Sequence, residues 1–230
     1  MINLSKRLRA LADFCDENKI IADIGTDHGF VPNFLYEEKN TKKIYAVDIS
    51  KSCLQKSMDF TKLRANERGI DHIISDGLKN VPPADNIIIA GMGGVLITRI
   101  LERNMEKARA AEKLILQPMQ QADFLRKFLY DKAFEILDEK IIYEDKKYFQ
   151  IIVGRFTGKI TTYEKEDLIV PKILRERKDK SLIDFLEDKI GQNNFILHHM
   201  DKKSLRAKER IEDLERENKK FKELVYEISK

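Results

Sequence analysis

Residues 20–29 have the sequence IIADIGTDHG, in which an apolar run leads into a glycine that lies between two acids. The run 20–24 predicts a buried strand, and Gly25 predicts a tight turn where the backbone can approach a ligand closely. The dinucleotide-binding pattern G-x-G-x-x-G is absent, and Asp23 and Asp27 would repel a pyrophosphate at the start of the next helix. A cationic ligand therefore fits this turn better than a dinucleotide.

Further apolar runs follow at intervals that suit alternating strands and helices. Because helical periodicity fills the stretches between them, the pattern predicts a parallel, doubly wound sheet, an α/β fold. After a helix that Pro118 opens and that ends near Lys132, the runs 135–144 and 148–156 predict an antiparallel hairpin closing one sheet edge. By fold analogy, that ending is typical of Rossmann-like class I methyltransferases rather than nicotinamide dehydrogenases. The predicted parallel strands contain residues 20–24, 44–47, 72–74, 86–90 and 114–116.

The composition changes from Thr157 onward, where 34 of the last 74 residues are charged, 18 of them basic and 16 acidic. We therefore expect two domains, residues 1–156 and 157–230, of which the second is a charged coiled-coil hairpin of helices. A turn at residues 191–194 would separate a helix at about 172–190 from the last helix. The heptad stripe of the last helix consists of Ile211, Leu214, Phe221, Val225 and Ile228, with Asn218 in the missing core position.

The overall composition predicts a soluble, cytoplasmic protein. The 230 residues suffice for one catalytic domain plus an appendage, and no apolar run is long enough to span a bilayer. Cys15 and Cys53 have no metal-ligand partners nearby in the sequence, so we expect two buried, reduced thiols and no metal site. The net charge of +4 is weak evidence for nucleic-acid binding, which would have to come from local clusters. No obligate protein partner is evident.

Three other predicted strands end in acidic or glycine-rich segments. Asp48 could accept both hydroxyls of a ribose, or it could cap the helix that begins near Ser50. Asp76 and Gly77 could place a carboxylate beside an adenine amino group, although this pair is also a common turn signal. Three glycines within residues 91–94 are hard to justify by folding alone and would open space for cofactor and substrate. Because carboxylates favour a sulfonium and an ammonium group, we expect S-adenosylmethionine as the cofactor.

Four short strings make the sequence similar to a known family. LSKRL, ADIGTDH, IAGMGG and LILQP occur in this order at residues 4–8, 22–28, 89–94 and 114–118, ahead of the helical hairpin. In this the chain resembles the bacterial TrmK family, which methylates N1 of the adenine at position 22 of tRNA. The resemblance implies tRNA as the partner and Asp27 at the reacting centre. It also implies a cofactor site formed by Asp23, Gly25, Thr26, Asp48, Ile49, Asp76, Gly77, Ala90, Gly91 and Met92.

Two roles are open for Asp27. Adenine N1 keeps its lone pair at neutral pH, so methyl transfer to it needs positioning more than activation. A carboxylate near the N6 amino group could stabilise the charge that develops on the base, or accept a proton. Alternatively, Asp27 is only the N-cap of the helix that follows the turn, a position that aspartate favours.

Basic residues near the predicted site are the candidates for contact with RNA. Lys6, Arg7 and Arg9 share one short helix and could hold phosphates, and His28 lies in the neighbouring turn. A solvated helix face is an equal alternative for the three cations. In the last hairpin, basic positions among acids favour a solvated face, with RNA contact second. These positions are Lys202, Lys203, Arg206 and Arg210.

Two other functions remain open at this point. The chain could methylate a different RNA, since a charged hairpin argues only against a small substrate. It could also be a non-catalytic RNA-binding adaptor with a degenerate Rossmann fold. Acidic and glycine residues at all four strand ends favour an active enzyme over the adaptor.

Overall fold

The computed structural model describes residues 2–200 and 205–230, and in the second range it describes side chains from residue 207 onward. The chain divides into two compact units, Met1–Ile169 and Val170–Lys230.

The first unit alternates strands and helices along most of its length. Its strands form one seven-stranded sheet in which the first five pair in parallel and the last pairs antiparallel with both of its neighbours. This confirms the predicted Rossmann-like α/β sheet closed by an antiparallel hairpin. In chain order the elements are α1 (Lys6–Asp13), β1 (Ile20–Ile24), α2 (Phe30–Glu38), β2 (Lys43–Asp48), α3 (Lys51–Leu63), β3 (Ile70–Ile74), β4 (Asn86–Met92), α4 (Gly94–Arg103), α5 (Met105–Ala110), β5 (Lys113–Pro118), α6 (Ala122–Asp131), β6 (Phe134–Glu144), β7 (Lys147–Phe156) and α7 (Lys165–Ile169). The sheet order is β3-β2-β1-β4-β5-β7-β6.

The central strands are covered on both faces, as their continuous apolar runs predict. Ile21 of β1, Ile88 of β4 and Ile115 of β5 are fully buried in one core cluster, which also contains Leu11 of α1 and Leu35 of α2. Since β1 pairs directly with β4, their carboxyl ends lie side by side at one edge of the sheet.

The turn around Pro118 differs from the prediction. Pro118 does not open a helix but ends β5, where it stands opposite Met92 of β4. The chain then turns through Gln121, whose φ of 60° is left-handed, and α6 begins only at Ala122. Proline is tolerated at this strand end because the ladder needs no N–H from it: the next residue, Met119, donates to the carbonyl oxygen of Met92 at 2.8 Å. The prediction that Pro118 starts the helix was therefore wrong.

The first unit extends beyond Phe156, the residue at which the sequence analysis places the domain boundary. The guanidinium of Arg126 is almost fully buried and pairs with Glu139 at 2.8 Å. It also donates to the carbonyl oxygen of Leu168 in α7 at 2.8 Å, which ties this later segment to α6. Residues 157–169 thus belong to the compact unit of the sheet, while the division into two functional domains stays a prediction.

The second unit contains α8 (Lys172–Glu176), α9 (Lys180–His199) and α10 (Leu205–Ser229). The turn predicted at residues 191–194 was wrong, because these residues lie inside α9. Asn193 donates to Glu217 at 2.7 Å and to Asn218 at 3.0 Å, so the asparagines join the two long helices instead of breaking one. Asn218 is buried, which confirms its predicted place in the core stripe of α10.

The two cysteines differ in burial. Cys15 is buried, and that burial raises the pKa of its thiol far above the ordinary value. Cys53 is only half-buried, so the expectation that both are buried was wrong for this residue.

Candidate active site

A cavity of about 410 Å³ opens where β1 and β4 end, and it is lined by these strand ends, by the turn after β1 and by the helices α1 and α2. This volume lies in the range of small-molecule and cofactor sites. The predicted site residues that it brings together are Arg7, Asp23, Gly25, Thr26, Asp27, His28, Ala90, Gly91 and Met92. Leu8, Leu11, Phe30 and Val31 complete the lining.

The turn after β1 holds Asp27 at the cavity in an unusual backbone conformation. Asp27 has a left-handed φ of 47°, and its N–H donates to the carboxylate of Asp48 at 3.2 Å. Its own Oδ2 lies 2.7 Å from Nδ1 of His28, and about half of each side chain is exposed. The N-cap of α2 is Gly29, so the alternative that Asp27 caps this helix was wrong.

An aromatic pair stands beside this carboxylate. The rings of His28 and Phe30 are stacked, with their centroids 5.4 Å apart and their planes 7° from parallel. Phe30 also makes an edge contact with Phe60 of α3 at 5.1 Å, and 41% of its surface is exposed. Both rings line the cavity, so a flat ligand entering it meets an aromatic surface next to a carboxylate.

Asp23 forms the buried acidic part of the lining. Burial raises the pKa of Asp23 to about 6, the hydroxyl of Thr26 opposes the rise, and the negative charge of Asp48 adds to it. At neutral pH the carboxylate is therefore charged in a place that disfavours the charge. A cation in the cavity would relieve this cost.

The glycines at the end of β4 and at the start of α4 are present for different reasons. Gly91 has a left-handed φ of 75°, and among the described residues no atom lies within 4 Å of the Cβ that a larger residue would add there. A Cβ at Gly94 would instead lie 2.2 Å from the carbonyl oxygen of Gln121. Close backbone packing therefore explains Gly94, so the expectation that folding alone could not justify these glycines was wrong for it. Gly91 alone leaves open space in the cavity.

Four predicted cofactor residues, at the ends of β2 and β3, are not part of this lining. The Oδ1 of Asp48 accepts from the N–H of Ser50 at 2.8 Å. The N-cap of α3 is Ser50, which accepts from the N–H of Cys53, so Asp48 does not cap that helix. Ile49, the next residue, is 67% exposed, an unusual exposure for an isoleucine.

The end of β3 is split between surface and core. The carboxylate of Asp76 is mostly exposed and lies 3.4 Å from the guanidinium of Arg103. Gly77 is buried, and a Cβ there would meet Ile100 of α4 at 2.8 Å. Packing and its φ of 61° therefore account for this glycine.

The three basic residues of α1 do not share one surface. Arg7 points toward the carboxyl end of β5, where its Nη1 donates to Oε1 of Gln117 at 2.7 Å. Lys6 and Arg9 line a separate groove of about 480 Å³ against β6, and Arg9 pairs with Asp13 at 3.0 Å. Gln117 is fully buried and was not among the predicted site residues, although the string LILQP contains it.

Most of the basic side chains predicted to face solvent or RNA in the last hairpin lie outside the described residues. Lys202 and Lys203 lie outside the described residues, and the side chain of Arg206 does so too. Arg210 is exposed on α10.

Within residues 2–200 and 205–230, no group of three or more histidine, cysteine or acidic side chains could hold a metal ion. In the same part of the chain, every helix is too short or too polar to cross a membrane.

Comparison with known proteins places these features in a family context. A family model for a methyltransferase domain matches residues 4–152. The tRNA (adenine(22)-N(1))-methyltransferase of Bacillus subtilis (strain 168) is 32% identical over 169 residues, which cover 71% of this chain and 69% of that protein. The crystal structure of the B. subtilis m1A22 tRNA methyltransferase TrmK matches with a TM-score of 0.83 and 25% identity, over 98% of this chain and 100% of that one. TrmK of M. capricolum, solved with the cofactor product S-adenosylhomocysteine, matches with a TM-score of 0.83 and 25% identity, over 96% and 99%.

Proposed function

The chain belongs to the tRNA (adenine(22)-N1)-methyltransferase family, and we propose that it transfers a methyl group from S-adenosylmethionine to N1 of adenine 22 in tRNA. The observation that carries the proposal is the cavity at the ends of β1 and β4, with its two acids and the open space at Gly91. Action on tRNA agrees with the predicted cytoplasmic location, which stays a prediction.

The residues of the cavity fit S-adenosylmethionine. Asp23 is a buried carboxylate whose raised pKa shows that its charge is poorly compensated, and the ligand carries two positive groups. Gly91 leaves room at the end of β4 where any larger residue would fill the space. Asp48 and the exposed Ile49 lie on the neighbouring strand end, where they would bind the ribose and one face of the adenine.

Bound there, S-adenosylmethionine would supply an electrophilic methyl group. Asp27 would act on the target base, because its half-exposed carboxylate stands at the cavity beside the stacked rings of His28 and Phe30. The rings would hold the flat adenine, which must leave its stack in tRNA to reach the cavity. The carboxylate would stabilise the positive charge that N1 methylation places on the base, or accept a proton from N6.

A methylation assay with mapped products tests this proposal. Unmodified tRNA that carries adenine at position 22 is incubated with the full chain and S-adenosylmethionine, and the modified nucleoside is then located by digestion. We expect 1-methyladenosine at position 22 and no product with a tRNA that carries guanine there. Equal methylation of both tRNAs would overturn adenine 22 as the methylated nucleotide. Binding of the cofactor without methylation of any RNA would favour a non-catalytic adaptor.

We also propose that the second unit contributes to binding of tRNA, since 29 of its 61 residues are charged. A chain that ends at Ile169 keeps the whole compact first unit, which a cut after Phe156 would damage. This truncated protein should bind S-adenosylmethionine with unchanged affinity in calorimetry and lose most methylation of tRNA. A thermal melt checks that it is folded. Methylation at the full rate would show that the second unit has another role.

A further inference from the structure

The guanidinium of Arg7 contacts other residues of the protein, which argues against its predicted role in holding an RNA phosphate. We propose that Arg7 is a positioning residue that holds the β-bulge at Gly91, near the end of β4, in place through Gln117. Its effect on methyl transfer rests on the proposed function, but its effect on the bulge does not.

The N–H of Gly91, near the end of β4, needs an acceptor that the sheet does not supply. Ala90 pairs with Gln117 and Met92 pairs with Pro118, so Gly91 is an extra residue in a β-bulge. Such a residue loses its regular partner in the ladder. The N–H of Gly91 donates instead to the side-chain Oε1 of Gln117 at 3.2 Å.

The side chain of Gln117 is fully buried, and its amide is used on both sides. Oε1 accepts from Gly91 and also from Nη1 of Arg7 at 2.7 Å. Nε2 donates to the carbonyl oxygen of Pro118 at 3.0 Å. Because a guanidinium can only donate, Arg7 selects the amide orientation in which Oε1, and not Nε2, faces Gly91.

Arg7 is itself fixed on other sides. Its backbone N–H donates to the carboxylate of Glu144 at 2.8 Å, which anchors the start of α1 to the end of β6. Its guanidinium lies over the ring of Phe149 in β7, 5.2 Å from the ring centroid. A side chain held by an amide, a ring and its own backbone is already ordered. Positioning a neighbouring residue therefore costs it little further conformational entropy.

Gly91 and Arg7 both line the cavity, so displacement of the bulge changes the shape of the site itself. Misplacement of reacting groups by about 1 Å can cost on the order of 10²-fold in rate. Loss of the Arg7 contact should therefore appear in the methyl-transfer step, whereas a phosphate contact would appear in tRNA affinity.

The first experiment needs no substrate. Hydrogen exchange at the amide of Gly91, followed by NMR on the full chain, should be on the order of tenfold faster in Arg7→Met than in the parent protein. Arg7→Lys should behave like Arg7→Met, because lysine keeps the charge but not the planar guanidinium that lies over Phe149 while its Nη1 donates to Gln117. Arg9→Met removes a cation from the same helix and should leave this amide unchanged. Unchanged exchange at Gly91 in both Arg7 variants would overturn the proposal.

The second experiment measures single-turnover methylation at saturating tRNA and cofactor. Arg7→Met and Gln117→Met should each lower the rate by roughly 10-fold to 10²-fold, and the double variant should lose little more than one of them. A phosphate contact would give the reverse pattern: an unchanged rate, weaker tRNA binding with a salt dependence lower by about one charge, and rescue by Arg7→Lys. That pattern would overturn the proposal. If the parent protein methylates no tRNA, the proposed function fails, and the exchange experiment still decides the role of Arg7.

Discussion

The carboxyl ends of β1 and β4 differ from those of β2 and β3, although all four carry acids or glycines. The first pair encloses a cavity with a buried acid, Asp23, and with Asp27 at its wall. The second pair presents Ile49 and Asp76 largely to solvent. Acidic residues at different strand ends thus have different properties, because a charge costs free energy where it is buried and little where it is exposed to water. We infer that the first pair carries the chemistry and the second binds the nucleoside part of the cofactor.

Substitution of Asp27 is the strongest way to break this comparison. Asp27→Asn keeps the size of the side chain and removes the charge at the cavity wall. If that charge stabilises the methylated base, single-turnover methylation at saturating tRNA should fall on the order of 10²-fold to 10³-fold. Affinities for cofactor and tRNA should stay near those of the parent.

Asparagine also tolerates the left-handed backbone of Asp27, so the fold should survive. An unchanged melting temperature would verify this. A rate within a few-fold of the parent would assign the carboxylate no part in the chemistry.

Substitution of Asp48 tests the second pair of strand ends. Asp48→Ala removes the predicted acceptor for two ribose hydroxyls and should weaken S-adenosylmethionine binding by roughly 10-fold to 10²-fold in calorimetry, as expected for hydrogen bonds to a charged group. Asp71→Ala is a matched control, since it removes a surface carboxylate of β3 that pairs with Lys43 at 2.8 Å. Equal affinities in the two variants would mean that the end of β2 does not bind the cofactor.

The pH dependence of cofactor binding sharpens the comparison with a smaller effect. Burial raises the pKa of Asp23 to about 6, and a bound cation would lower it. Affinity for S-adenosylmethionine should therefore be constant above that pKa and fall by at most about tenfold per pH unit below it. Asp23→Asn should bind more weakly and show a flatter profile, and calorimetry from pH 5 to about 8 measures both.

The raised pKa of Asp23 has the opposite effect on the stability of the protein without ligand, which should fall as pH rises. Because the folded-state pKa is raised above its ordinary value of 3.8, the unliganded protein should lose stability as pH rises from that value to about 6. Asp23→Asn should remove this loss and melt no lower than the parent at neutral pH. If the affinity of the parent protein for S-adenosylmethionine does not change with pH, Asp23 does not face a cation of the bound cofactor.

Errors in the sequence-based prediction occurred where a residue type has a strong local preference that the fold overrides. Asparagines 193 and 194 are typical turn residues, but α9 continues through them because Asn193 donates to Asn218 and Asn218 donates to Asn194 across the helix pair. Pro118 suits the first turn of a helix, yet it ends β5. In each case a contact with a distant segment supplies what the local pattern cannot show.

The sequence by itself determined the alternation of strands and helices, the acidic glycine turn after β1 and membership of a methyltransferase family. These features are local, since burial on both faces and turn chemistry are written in adjacent residues. Only the tertiary structure decided which strand ends form the cavity, that Asp27 is free of a capping role, and that Arg7 contacts Gln117 across 110 positions of sequence. Those outcomes depend on strand order and register, which bring distant side chains within hydrogen-bonding distance and leave no periodic signal in the chain.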